Sequence, residues 1–207
     1  MGVTIHYRGT LDDPGRIDQL RRELADIGKS MGWVASTLDD SWLDPPTARL
    51  EHQNGVATIK GHLGLKGITL HPGNNAESLS FLFDAQGCLR SFMDVILRCE
   101  GNAVTEKSWV SMKTQFTSPD VHVWIIGLLK YLKKRYMPDL EVSDEGEYWE
   151  TADREALVSK MQLINDKINS LAEELSSPEF PDLTGLSAEE IALRIEQFLQ
   201  DKPGGKR

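Results

Sequence analysis

The sequence predicts an α+β protein in which helices pack on one face of an antiparallel sheet. Three observations carry this. Residues 3 to 8 alternate apolar and polar, residues 56 to 116 read as short β segments without a helical period, and beyond Ser118 apolar residues return at three- and four-residue steps.

In the first segment Val3, Ile5 and Tyr7 share one face, and Thr4, His6 and Arg8 the other, so His6 points away from the core. Asp13 and Pro14 open a helix that carries Ile17, Leu20, Leu24, Ile27 and Met31 until Gly32 stops it. Residues 33 to 55, with Trp33, Trp42, Pro45 and Pro46, read as a strand entering a long loop. Strands are predicted at 56 to 63, 67 to 71, 78 to 84, 88 to 93 and 108 to 116, with a tight turn over 84 to 87; residues 94 to 107 receive no assignment. Ser118, Pro119 and Asp120 start a helix that runs to Tyr136. Its first turns are apolar almost all round, at Val121, Val123, Trp124, Ile125 and Ile126, which predicts burial on more than one side.

Residues 139 to 155 hold eight acids against one base, Arg154, and suit a loop or a short edge strand. A helix over 152 to 175 follows, with the heptad seam Leu157, Met161, Ile164, Ile168, Leu171 and Leu175. Such a seam predicts a contact with another helix, in the same chain or in a homodimer. After a linker at 176 to 185, Ser187 and Glu190 form a capping box, with Leu186 placed to staple onto Ile191. The predicted plan is an α+β domain over 1 to 150, a helical extension over 151 to 201 packed on it or on a partner, and a disordered tail over 202 to 207. The element order is similar to that of helix-grip and TATA-binding-protein-like folds, a likeness of order and not of sequence.

With 32 acids against 23 bases, the net charge of -9 repels phosphate backbones, so no nucleic-acid partner is expected. The basic cluster Lys130, Lys133, Lys134 and Arg135 sits at a helix C-terminus just before the acidic stretch, where pairing within the chain accounts for it. Cys88 and Cys99 form neither a disulfide framework nor a metal spacing, and no leader pattern or long apolar run is present. The expectation is a cytoplasmic protein without a membrane partner. Phosphate-loop, dinucleotide, zinc-protease and serine-elbow motifs are absent.

Candidate chemistry rests on a few side chains. A two-residue hairpin turn at Lys66-Gly67 would gather Leu63, Leu65, Ile68 and Leu70 on one face and set His62 opposite His71, close enough to share a transition metal. A third ligand would come from Glu77, Asp84, His6 or His122, none of which the sequence places nearby. An EF-hand over 141 to 152 fails because Ala152 stands where the bidentate Glu is needed. Asp144 and Glu147, with Glu145 and Glu150, are candidate acid/base or Mg²⁺ groups. His122, flanked by apolar residues near a positive helix end, is favoured in its neutral form, as a base or as a hydrogen-bonded core histidine. Trp124, Tyr148 and Trp149 are candidate walls of a ligand cleft.

Together these features point first to a non-catalytic cytoplasmic module that binds a protein or a small molecule. A metal-assisted hydrolase or transferase using His62 and His71 with a nearby carboxylate is second, and a carrier of an apolar small molecule third. No cofactor is expected, a divalent metal being the alternative.

Overall fold

The alternation at the N-terminus puts Ile5 and Tyr7 wholly out of water, in the middle strand of a three-stranded sheet. The computed structural model describes residues 3–73, 76–103, 108–176, 187, 189–191 and 193–194. In chain order the elements are β1 (Thr4–Arg8), a 3-10 turn (Pro14–Arg16), α1 (Ile17–Ser30), β2 (Val34–Asp39), β3 (Arg49–Gln53), β4 (Val56–Lys60), β5 (Lys66–His71) and β6 (Leu79–Phe83). They continue with α2 (Phe92–Cys99), β7 (Val110–Lys113), α3 (Pro119–Arg135), β8 (Glu141–Asp144), α4 (Tyr148–Thr151) and α5 (Arg154–Leu175). The α+β class with antiparallel sheets is therefore the observed one. The strands form two three-stranded sheets, β7-β1-β8 and β2-β5-β6, and a separate β3-β4 hairpin.

The two sheets meet through β1. Beyond Arg8 the chain stays extended, and Leu89 N–H donates to Gly9 O at 3.0 Å while Leu11 N–H donates to Gly87 O at 2.9 Å. Leu89 also bridges to Phe83 of β6, so the predicted turn over 84 to 87 is present. The Tyr7 hydroxyl reaches across the core, donating to Ser80 O at 2.9 Å and accepting from Ser80 N–H at 3.2 Å. Burial pushes the pKa of this phenol up, against the smaller downward effect of the Ser80 bond.

One large core lies between the sheets and helices, with Ile68, Leu70, Phe81 and Phe83 meeting Leu20, Leu24, Ile125 and Leu129. A second, smaller core joins Leu82 on the other face of β6 to Ala48, Leu65, Val95 and Ile96.

Parts of the sequence reading change. Residues 88 to 93 are not a strand, because Ser91 caps a helix: its hydroxyl accepts from Asp94 N–H and the Asp94 carboxylate accepts from Ser91 N–H, each at 3.1 Å. This capping box starts α2, whose eight residues are too few to show a clear period. Lys66-Gly67 is not a hairpin turn either. It lies inside β5, which pairs along its length with β2 and over 66–70 with β6, Gly67 standing opposite Leu38 and Leu82. A Cβ on Gly67 would come within 1.9 Å of Phe81 O, so glycine there permits close strand approach. The leucines that seemed to share one face serve different cores: Ile68 and Leu70 the large one, Leu65 the small one.

The start of α3 is buried on one broad side and not all round. His122, Ile125 and Ile126 are buried, whereas Trp124 is 49% exposed. Its basic C-terminal turns pair within the chain, Arg135 with Glu23 at 2.7 Å, and Lys133 Nζ donates to Leu140 O at 2.7 Å.

The first compact unit ends at Met161, so the first two turns of α5 belong to it, with Leu157 and Met161 buried. The second unit begins at Gln162; in it Leu163, Ile168 and Leu171 are exposed. The Ser187–Glu190 capping box forms, but Leu186, the linker over 177 to 185 and the tail over 202 to 207 lie outside the described residues.

Replacing Tyr7 by Phe should lower the unfolding free energy by about 1–2 kcal/mol, because it leaves Ser80 N–H without its acceptor. Urea unfolding reads this directly. An unchanged midpoint would show that the hydroxyl does not hold the sheets together.

Candidate functional site

The second core supports a groove. Its walls are the β2–β3 loop with Trp42, Leu43 and Asp44, the β4–β5 loop with Leu63 and Leu65, the turn after β6, and α2 with Val95 and Arg98; the cavity they enclose measures about 480 Å³. The two loops are tied to each other. Asp40 Oδ2 accepts from Leu63 N–H at 2.8 Å and Gly64 N–H at 3.1 Å, and Asp40 N–H donates to Leu65 O at 3.1 Å. Further along, Thr47 N–H donates to His62 O, and His62 N–H to Thr47 Oγ1. Gly61 has φ +90, and a Cβ there would fall 2.4 Å from Thr47 O, so this crossing requires glycine. The Trp42 indole N–H donates to Phe83 O at 3.1 Å, fixing the ring as a wall.

The charges around the groove are of two kinds. Arg90 is 5% exposed and donates through Nε to Asp84 Oδ2 at 2.8 Å, while Asp84 Oδ1 accepts from Gln86 N–H and Cys88 N–H. Asp94 is engaged in capping its own helix. The side chains of Asp44, on the loop wall, and Arg98, on the helix wall, make no hydrogen bond or ion pair among the described residues. The sequence reading did not find this site. Its signals were the Ser91-x-x-Asp94 box and the Trp-Leu-Asp-Pro-Pro run at 42 to 46, which converge only through long-range packing.

The residues singled out from sequence lie elsewhere. His71 is placed at the end of β5, opposite Val34, with Nδ1 at 2.8 Å from Ser78 Oγ and Nε2 at 3.1 Å from Ser36 Oγ. His62 is in the loop after β4, its Nε2 4.0 Å from Asp40 Oδ2. The cross-strand opposition that suggested a shared metal is therefore absent. The possible third ligands have partners of their own: Glu77 accepts from Lys113 N–H, Asp84 binds Arg90, His6 meets Ser111 Oγ, and His122 meets Asp144. Among the described residues no three His, Cys, Asp or Glu side chains cluster as metal ligands.

Two of the acid/base candidates do come together. His122 Nε2 lies 3.1 Å from Asp144 Oδ2, and His122 Nδ1 lies 2.8 Å from Thr114 Oγ1, which also donates to Val3 O at 3.1 Å. The connectivity hydroxyl, imidazole, carboxylate is that of a nucleophilic triad, but all three side chains are 0% exposed, and a nucleophile must reach its substrate. The network instead fastens β1, the end of β7, α3 and β8. Asp144 also accepts from Gly146 N–H at 2.7 Å and Trp149 N–H at 2.9 Å, turning the chain into α4. A Cβ at Gly146 would lie 2.9 Å from the His122 ring, so glycine admits the imidazole.

Glu147 stands outside this network, with φ +61 and an ion pair to Lys160 at 2.9 Å. Tyr148 meets the His122 ring edge-on, and Trp149 lies beneath Lys130 and Lys133; both pack on the large core. Trp124 stands half-exposed on α3.

Burial by itself raises the Asp144 pKa, but the hydrogen bond and attraction of His122, with the N–H groups of Trp149 and Gly146, outweigh it and hold the carboxyl below its ordinary 3.8. A folded-state pKa below the unfolded one contributes its full stability above the ordinary carboxylate range, and the contribution is lost as pH falls from there through the lowered folded-state value. Asp144→Asn should therefore cost about 3 kcal/mol at neutral pH. The gap to wild type, measured by urea unfolding at each pH, should begin to narrow below about pH 4 and go on narrowing as pH falls through the lowered Asp144 pKa. A gap independent of pH would mean that the charge contributes nothing.

Compared with known proteins, the chain matches no family model, no curated protein and no solved structure.

Proposed function

We propose that this chain is a non-catalytic, cytoplasmic binding protein whose ligand is a small molecule held in the groove beside α2. The observation that carries the reading is the groove itself. It has the volume of a small-molecule site, about 480 Å³, with apolar walls from Trp42, Leu63, Leu65 and Val95 and a few charged groups at its edge. Loops stitched together by Asp40 and Thr47 favour binding, because a site ordered in advance spends little conformational entropy on its ligand. The closure of the Thr114–His122–Asp144 network supports a binding role over a catalytic one. Free thiols at Cys88 and Cys99 suit a reducing compartment.

A titration of ¹⁵N-labelled protein with indole tests this. The Trp42 indole N–H and the α2 amides should shift together, with a dissociation constant of about 1 mM, as expected of a fragment. Ala85→Trp, a change on an exposed residue of the groove wall, should abolish these shifts without altering thermal stability. Shifts centred on Tyr148 and Trp149, or none, would reject the groove as the ligand site.

Docking of a protein is a second reading, favoured by Leu163, Ile168 and Leu171 exposed along α5. We propose a homodimer contact there. Ile168→Glu should convert dimer to monomer in sedimentation, and a monomeric wild type would remove this reading.

A further inference from the structure

We infer that the ligand of the α2 groove is a zwitterion with an apolar side group, carrying an ammonium and a carboxylate, of which an α-amino acid is the simplest member. The inference rests on the groove being the binding site. Five charged groups near the groove are excluded from ligand recognition or left to it by the bonds they already make. Asp84 and Arg90 neutralise one another, Arg90 with little exposed surface. Asp94 accepts from Ser91 N–H to start its own helix. Asp44 and Arg98 remain, of opposite sign and on different walls, their side chains without a hydrogen bond or ion pair among the described residues.

Each simpler ligand meets at most one of them favourably. An apolar anion pairs with Arg98 but brings a negative charge toward Asp44, and an apolar cation does the reverse. A neutral apolar molecule leaves both charges to water and gains nothing from either. A zwitterion gives a carboxylate to the Arg98 guanidinium, which suits a two-pronged acceptor, and an ammonium to Asp44. Its side group then lies against Trp42, Leu63 and Val95. The protein's net charge of -9 does not repel such a ligand, which is neutral overall, whereas it disfavours the approach of an anion.

The test holds the apolar body constant and varies the charge: phenylalanine, 2-phenylethylamine, 3-phenylpropionate and N-acetylphenylalanine amide, each titrated into the full chain and followed at the Trp42 indole N–H. Phenylalanine should bind about tenfold more tightly than the other three, the scale of one charge-assisted contact. In Asp44→Asn phenylalanine should fall to the affinity of 3-phenylpropionate; in Arg98→Gln it should fall to that of 2-phenylethylamine. Both positions are exposed, so the fold is retained. Phenylalanylglycine carries the same two charges: tighter binding than phenylalanine assigns a short peptide as the source, weaker binding a free amino acid. If 3-phenylpropionate or the amide binds as well as phenylalanine, or if either variant behaves as wild type, the inference is overturned. Should indole still shift the groove, that failure belongs to the charge assignment and the binding reading stands. If indole and the whole series leave the groove unshifted, both fall.

Discussion

The architecture depends on one strand being buried on both faces. β6 sends Leu79, Phe81 and Phe83 into the large core and Leu82 into the small one. A strand of an ordinary two-layer protein needs cover on one face, with water on the other. Here Leu82 draws α2 and the β3–β4 hairpin onto the outer face, and they leave the groove at their margin. Phe83 takes part in both: its side chain is in the large core, and its carbonyl accepts the Trp42 indole N–H. Core and groove therefore share one strand.

The many acids serve the structure in a way that net charge does not convey. Glu145 accepts from Thr4 N–H, Asp153 accepts from the N–H groups of Glu155 and Ala156 at the start of α5, and Glu141 pairs with Arg8 across the first sheet. Each carboxylate answers an otherwise unpaired backbone N–H or a nearby cation. Asp144 is the extreme case, serving one imidazole and two N–H groups out of contact with water. An acidic run dense enough to suggest metal binding is here a set of caps and turns.

Period and punctuation made much of the fold legible. β1, α1, α3 and α5 were readable because five or more side chains repeat at a period of two or of three and four, flanked by Asp13, Gly32 or Ser118. α2 was not, since two turns give too few repeats and its capping box competed with a β-like run through Leu89. The error at Lys66-Gly67 has a different origin. A local hairpin and the centre of a three-stranded sheet place the same leucines favourably, and what decides between them is β2, more than 25 residues upstream. The His62–His71 pair depended on that choice. The groove was illegible for the same reason: its walls come from four segments between residues 42 and 99, and no local pattern records their convergence. His122 and Asp144 were each singled out for their surroundings, but their bond requires the β1–β8 pairing that carries Asp144 to α3.

Asp40 sets how the groove can change over time. One carboxylate oxygen receives two consecutive N–H groups of the β4–β5 loop, and the backbone of the same residue donates back to it. The β2–β3 and β4–β5 loops are thus mechanically a single part, although about 20 residues of chain separate them. Loops on a scaffold ordinarily diversify one at a time, by insertion or exchange at their tips. In this molecule a graft of either loop by itself would strand the acceptor of the other. The shape of the groove can be inherited or transplanted as a pair of loops with Asp40 between them, and single-loop variation is confined to Leu43 through Pro46, beyond the tie.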